Sequence, residues 1–193
     1  MSPARASEHE LIRRAKEGDE DAFEELVMLH AERVHAALRR FGLDENQADE
    51  VTQEVFLRAW RGLAGFEERA QLSTWLYRIA FNEAQRRRSR REPGRVEPAG
   101  NDDDPIAALP DSAERGPEAQ TLSREFERTL EQALERLPVD ARDAVVLRDI
   151  EGLSTREAAA VTGIRQAAFK SRLHRGRMQL RALLEPYLRL EED

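Results

Sequence analysis

Apolar residues return every three or four positions along most of this chain, with polar and charged residues between them. Leu11, Ile12 and Ala15 line one side of a short helix over 8–16, which Gly18-Asp19 closes. A longer stripe follows: Phe23, Leu26, Val27, His30, Val34, Ala37, Leu38 and Phe41. That spacing predicts one helix, capped by Asp19 or Asp21. The turn Gly42-Leu43-Asp44 leads to a third helix over 46–60. Its inner face is Ala48, Val51, Thr52, Val55, Phe56 and Ala59; Asp49, Glu50, Gln53, Glu54, Leu57 and Arg58 lie outward or at the margins. Residues 61–71 read as a loop, longer than most links between helices. Ser73 is the expected cap of a fourth helix running to Arg91. Leu72, Trp75, Leu76, Ile79 and Ala80 face its core, while Thr74, Tyr77, Arg78, Phe81, Asn82 and Gln85 take the other side.

The periodicity then stops. Pro93, Gly94, Pro98, Gly100, Pro105, Pro110, Gly116 and Pro117 interrupt any helix, and Asn101-Asp102-Asp103-Asp104 adds a run of charge. Residues 92–119 therefore read as a flexible linker. Helical spacing resumes over 118–136 with Leu122, Phe126, Leu130, Ala133 and Leu134, followed by Leu137 and Pro138. A helix over 139–149 offers Ala141, Ala144, Val145 and Leu147 for burial, and Gly152 suits its C-terminal cap. The pattern predicts an all-α protein of two small domains, 1–91 and 120–193, joined by the linker.

Residues 154–180 form two helices around a tight turn. Ser154 and Glu157 have capping-box spacing, so the first helix starts near Thr155, with Ala158, Ala159 and Val161 as its apolar face. Thr162-Gly163-Ile164 breaks it, Gly163 supplying the positive φ that a helix end needs. Phe169, Leu173, Gly176, Leu180 and Leu184 recur along the second helix; Gln166, Lys170, Ser171, His174 and Arg175 occupy its opposite face. Between Glu157 and Glu185 there is no acid, whereas Arg165, Lys170, Arg172, Arg175, Arg177 and Arg181 fall there. A helix–glycine turn–helix with a one-sided basic second helix is what reading the major groove requires. A helical hairpin with a solvated basic face is the plainer alternative.

Composition narrows the classes. The chain is 40% hydrophobic and 36% charged, as suits a helical protein rich in surface. It has no cysteine, which removes disulfides and thiolate metal sites. No apolar run approaches the roughly 18 residues of a membrane helix, and the N-terminus carries no hydrophobic signal core, so a cytoplasmic location is expected. The net charge of −7 sits awkwardly with DNA binding until its distribution is considered. Arg78, Arg86, Arg87, Arg88, Arg90 and Arg91 face a single acid, Glu83, and the helix-turn-helix is a second basic block. Acids gather in 19–25, 44–54 and 102–118.

Two aromatics, an arginine and two amides (Tyr77, Phe81, Arg78, Asn82 and Gln85) beside that arginine-rich tail suit unstacked bases; the alternative is that Tyr77 and Phe81 widen the core stripe. Leu57 among acids suits either a partner site or an ordinary solvated face. His9, His30, His35 and His174 are scattered, and no nucleophile–base pair, phosphate loop or metal cluster stands out. Catalysis, a cofactor and a bound metal are therefore not expected. A dimeric stand-alone helix-turn-helix regulator remains the competing function.

The segments ADEVTQEVFLRAW, LSTWLYRIAFNEAQRRRSRR and LPVDARDAVVLRDIEGLSTREAAAVTGIRQAAFKSRLHRGR together resemble the extracytoplasmic function (ECF) sigma factors of the sigma-70 family. The likeness spans roughly residues 19–184, the linker excepted. It implies a sigma-2-like and a sigma-4-like domain, and a subunit that directs bacterial core RNA polymerase to promoters. It implies that Asp49, Glu50, Gln53, Glu54 and Leu57 bind the clamp helices of the polymerase's largest subunit. It puts −10 reading and melting on the loop 65–72, Phe66 included, and on Tyr77, Arg78, Phe81, Asn82 and Gln85. It puts −35 base contacts on Lys170, Ser171, His174 and Arg175, with Arg165, Gln166 and Arg172 beside them for phosphates. An anti-sigma factor is a further implied partner, and direct membrane insertion is not implied. Phe169 departs from the β-branched residue usual at its position.

Overall fold

The computed structural model describes residues 7–91 and 124–188. The described residues form α1 (Glu8–Lys16), α2 (Glu20–Arg40), α3 (Glu45–Gly62), a 3-10 turn (Leu63–Gly65) and α4 (Leu72–Arg91). From residue 124 on come α5 (Arg124–Glu135), α6 (Val139–Val145), a π-helical turn (Val146–Ile150), α7 (Thr155–Thr162) and α8 (Gln166–Leu188). The expected linker 92–119 and the expected start of its following helix lie outside the described residues.

Local chemistry fixes the helix starts. The Ser7 side chain accepts from the Glu10 amide and Asp19, rather than Asp21, accepts from that of Ala22. Asp44 and Gln47 form a complete capping box on α3, as Ser154 and Glu157 do on α7. Each satisfies amides that the first helical turn leaves unpaired. Ser73 does not cap α4, which begins one residue earlier at Leu72. Gly152 and Gly163 adopt the left-handed conformations expected of them, with φ of 71° and 68°. Pro186 lies inside α8, which continues to Leu188.

The apolar stripes meet as their spacing predicts. Leu11, Ile12 and Ala15 of α1 bury with Leu26, Val34 and Leu38 of α2, and Val51, Val55 and Ala59 of α3 close the same core. Helix α4 is enclosed on more than one side. Leu76, Ala80 and Ala84 are buried, and so are Tyr77 and Phe81. Phe81 meets Phe41 edge-on, with ring centroids 5.6 Å apart. Helix α4 also touches α7, so the apolar core is continuous from the first four helices to the last four.

Helices α6 and α8 cross closely where Gly176 sits. A Cβ at that position would lie 2.8 Å from the Ala141 carbonyl oxygen and 2.7 Å from Val145 Cγ2. Alanine favours a helix by about 1 kcal/mol over glycine. Overpacking against a backbone carbonyl costs about 1–3 kcal/mol, since the backbone yields less readily than a side chain. Gly176→Ala should therefore lower stability by up to about 2 kcal/mol net; a thermal melt showing a more stable variant would disprove the close crossing.

Candidate nucleic-acid interface

The helix-turn-helix is built by local bonds and one buried aromatic. The Glu157 amide donates to Ser154 Oγ at 3.2 Å, and the Ser154 amide donates to Glu157 Oε2 at 2.7 Å. Phe169 is fully buried and, with Leu173 and Gly176, seats α8 on the rest of the domain. Phe169 thus fills a core position, whatever residue is usual there. Helical geometry then turns Arg165, Gln166, Lys170, Ser171, His174 and Arg175 to solvent, while Arg172 is half-buried. Asp140 of α6 serves two of these cations, lying 3.6 Å from Arg172 Nε and 3.4 Å from Arg175 Nη2. Ser171 Oγ donates to the Ala167 carbonyl at 3.1 Å, so it must turn to meet a base.

The expected single-strand surface is arranged differently. Phe66, Tyr77, Phe81 and Asn82 are all buried; Arg78 and Gln85 are half-buried. Phe66 tucks against Trp75, centroids 5.1 Å apart. The reading of Tyr77 and Phe81 as an outward face is corrected, because the second group of helices covers that side of α4, whereas Asn82 lines a groove with Glu54, Leu57, Trp75 and Ile79 on the α3 side. Tyr77 donates its hydroxyl to Glu151. Thr74 Oγ1 donates to Glu157 at 3.3 Å. Arg88 reaches both oxygens of Asp143, at 3.0 and 2.8 Å, and lies over the Phe81 ring. Arg88 and Arg142 each donate to the Phe41 carbonyl at 2.9 Å.

Carboxylates at this seam are deeply placed. Asp143 and Glu151 are 3% exposed, at positions where a charge would ordinarily face water. Burial pushes the Asp143 carboxyl up, against the opposing pull of the Arg88 guanidinium. Burial likewise lowers the Arg142 guanidinium. Arg33 and Arg40 of α2 lie 3.5 and 3.6 Å from Glu151. Gly42, at φ +93°, makes room for Arg142, since a Cβ there would stand 2.5 Å from its Nη2. Sequence reading gave Arg142, Asp143 and Glu151 no role. Their only signal was charge set within an apolar run.

A third surface lies on α3. Asp49, Glu50, Gln53 and Leu57 are exposed and Glu54 is half-buried. Leu57 is 56% exposed and borders a groove with Phe23, Val27, Ala31, Phe56 and Trp60. Phe23 and Trp60 pack at 4.9 Å beneath it. Met28 and Leu29 of α2 are also exposed, 69% and 49%, and fell off the predicted stripe. Arg87 of α4 spans Glu50 at 2.8 Å and Glu54 at 3.0 Å, and the Glu50 carboxylate raises its guanidinium further. His35 Nε2 lies 3.1 Å from Asp49 and 3.8 Å from Glu45, whose carboxylate also meets Arg39 at 3.2 Å. Sequence reading left His35 isolated because its partners lie on the next helix.

Two groups of helices, one carrying a basic helix-turn-helix and the other an acidic, apolar-rimmed face, define a two-domain DNA-reading transcription protein. Family models agree in both halves: "Sigma-70 region 2" matches residues 26–93 and "Sigma-70, region 4" matches residues 127–180. The RNA polymerase sigma-H factor of Pseudomonas aeruginosa is 35% identical, over 94% of this chain and 96% of its own. The ECF sigma factor SigW of Bacillus subtilis is 31% identical, over 90% and 94%. The ECF sigma-E factor of Escherichia coli is 32% identical, over 93% and 95%. Among solved structures, CnrH in complex with the cytosolic domain of CnrY matches with TM-score 0.60 and 30% identity, over 91% of this chain and 96% of that one. The sigma factor RpoE of Bartonella quintana, in complex with the anti-sigma factor NepR, matches with TM-score 0.61 and 25% identity, over 84% and 96%. The chain belongs to the ECF sigma factors of the sigma-70 family. It is an RNA polymerase sigma factor and not a stand-alone helix-turn-helix regulator. No helix of the described residues is long and apolar enough to cross a membrane.

Proposed function

We propose that residues 1–91 form the unit that binds core polymerase and opens the −10 element, that 92–119 are the acidic stretch joining it to the next unit, and that 120–193 read the −35 element. Asp49, Glu50, Gln53, Glu54 and Leu57 meet the clamp helices of the largest polymerase subunit. Arg165, Gln166, Lys170, Ser171, Arg172, His174 and Arg175 meet the upstream duplex, the lysine and arginines supplying the phosphate attraction that any DNA contact needs. Phe66, Tyr77, Arg78, Phe81, Asn82 and Gln85 meet the melted strand. The chain acts in the cytoplasm, catalyses nothing itself, and is held in check by an anti-sigma factor, the kind of partner present in the matched RpoE structure.

The observation that carries this reading is the contrast between two exposed surfaces. Residues 166–184 of α8 carry bases and no acid, with Asp140 of α6 beside them, whereas the α3 face is acidic and carries the exposed Leu57 at the edge of an apolar groove. One suits a phosphate backbone; the other suits a protein. With a net charge of −7, the free chain is a poor DNA ligand, and the polymerase must supply the remaining contacts.

The test is transcription in vitro with core polymerase from a matching host on a genomic promoter library. Promoter-specific transcripts are expected, and their absence would refute the reading. In the same assay Arg175→Ala should lower promoter affinity by about 1–3 kcal/mol and relax preference at one −35 position. A uniform loss across promoters would assign Arg175 to a phosphate instead.

A further inference from the structure

We infer that Lys16 of α1 is a positioning residue for promoter opening: its ammonium fixes the shape in which the loop 66–71 is offered to the −10 bases. The inference rests on the assignment of that loop, Phe66 included, to the −10 element. Helix α1 lies before residues 26–93, which the region 2 model matches. Lys16 Nζ nevertheless reaches the loop across 50 positions of chain. It donates to the Phe66 carbonyl at 2.7 Å and to Glu68 Oε1 at 3.3 Å. The lysine side chain is 27% exposed, so the ammonium is partly withdrawn from water and its bonds are charge-assisted.

These bonds act on a loop that has little else to hold it. At its start the Phe66 ring packs on Trp75, and the Phe66 amide donates to the Leu63 carbonyl at 3.0 Å. Beyond that, Glu67, Glu68, Arg69 and Gln71 are exposed. Arg69 pairs with Glu67 at 2.8 Å, but both side chains are more than half exposed, and such a pair restrains a loop weakly. Glu68 stands at φ 57°, the one non-glycine residue with positive φ among the described residues. A glutamate is disfavoured there, and the conformation persists only where the surroundings hold it. Lys16 supplies that hold. It takes the carbonyl before the turn and the carboxylate on it, so the reversal of the chain is gripped at two points. His9 stands 3.7 Å from the other carboxylate oxygen with a side chain 84% exposed, which leaves the lysine as the main tie. Reading a base edge needs donors and acceptors held to about 0.5 Å. Lys16 acts through Phe66 and Glu68; its loss should blur which bases are preferred rather than remove attraction to the strand.

The test uses holoenzyme assembled with the full chain. Promoters with a fixed −35 element and a randomised −10 region are transcribed, and the transcripts sequenced. Lys16→Met keeps the apolar stem and removes the donor. It should lower the −10 base preference about tenfold, the effect of one charge-assisted hydrogen bond. Preference in a parallel library randomised at −35 should be unchanged, and Lys16→Arg should restore the −10 profile. In the free protein, trypsin should cut after the exposed Arg69 faster in Lys16→Met than in wild type. Lys16→Gln, with a neutral and shorter donor, should fall between the two, and it decides the matter if the methionine variant melts early. A wild-type −10 profile in a folded variant would overturn the role of Lys16, as would an equal loss at −35. Cleavage at the wild-type rate would deny the clamp. No −10 preference from the wild-type holoenzyme would remove the assignment of the loop itself, and this inference with it.

Discussion

Leu57→Asp is expected to abolish stable binding to core RNA polymerase while leaving the fold intact. Leu57 is 56% exposed and makes the rim of an apolar groove, so the free protein loses little when it changes. Exposed substitutions usually stay within about 0.5 kcal/mol. In a complex the same side chain would be enclosed, and a carboxylate put there must lose its water with no partner. Central apolar anchors are worth about 2–4 kcal/mol when removed. Burying the new charge adds to that loss, so affinity should drop by about 1,000-fold or more. Titration of dye-labelled protein with core enzyme measures it, with a thermal melt as control. An unaltered dissociation constant would reject the α3 face as the polymerase contact.

The second large effect is on stability. Phe169 is fully enclosed where the recognition helix meets its domain. Truncating a buried phenylalanine to alanine costs about 3–5 kcal/mol, a large share of the 5–15 kcal/mol that holds a typical domain. For a chain of this size each kcal/mol moves the melting temperature by about 2–4 °C, so Phe169→Ala should melt about 6–20 °C lower. Binding of −35 duplex should weaken with it, although Phe169 faces away from the DNA side. Circular dichroism melts decide the matter. A drop under about 3 °C would mean that α8 is seated by other residues.

What could be seen in the sequence was local. Ser154 and Glu157 are three residues apart, and such a bond declares itself by spacing. Gly152 and Gly163 were legible because helix ends need a left-handed residue. The stripes of α1 and α2 were legible because one face alone is buried. Helix α4 was misread for the opposite reason. Its covering arrives through Thr74 and Glu157, 83 positions apart, and through Tyr77 and Glu151, 74 apart. No periodicity within α4 reports a neighbour so distant. Asp143 and Glu151 were hidden by a sound general rule, that carboxylates stay in water, which holds until a matching cation is buried with them. His35 and Asp49 escaped because their meeting depends on how α2 and α3 pack.

The π-helical turn at Val146–Ile150 has a consequence for how this chain tolerates change in length. The Glu151 amide reaches back to the Val146 carbonyl at 2.9 Å, one residue further than an α-helix would allow. That wide turn holds one residue more than a regular helix would. A chain shorter by a single residue between Val145 and Glu151 would close an ordinary turn instead, and everything after it would swing by about 100° around the axis. Glu151 would leave Tyr77, and the helix-turn-helix would be carried out of register with the first four helices. Along this polypeptide, then, a gap of one residue in that wide turn is a change of posture.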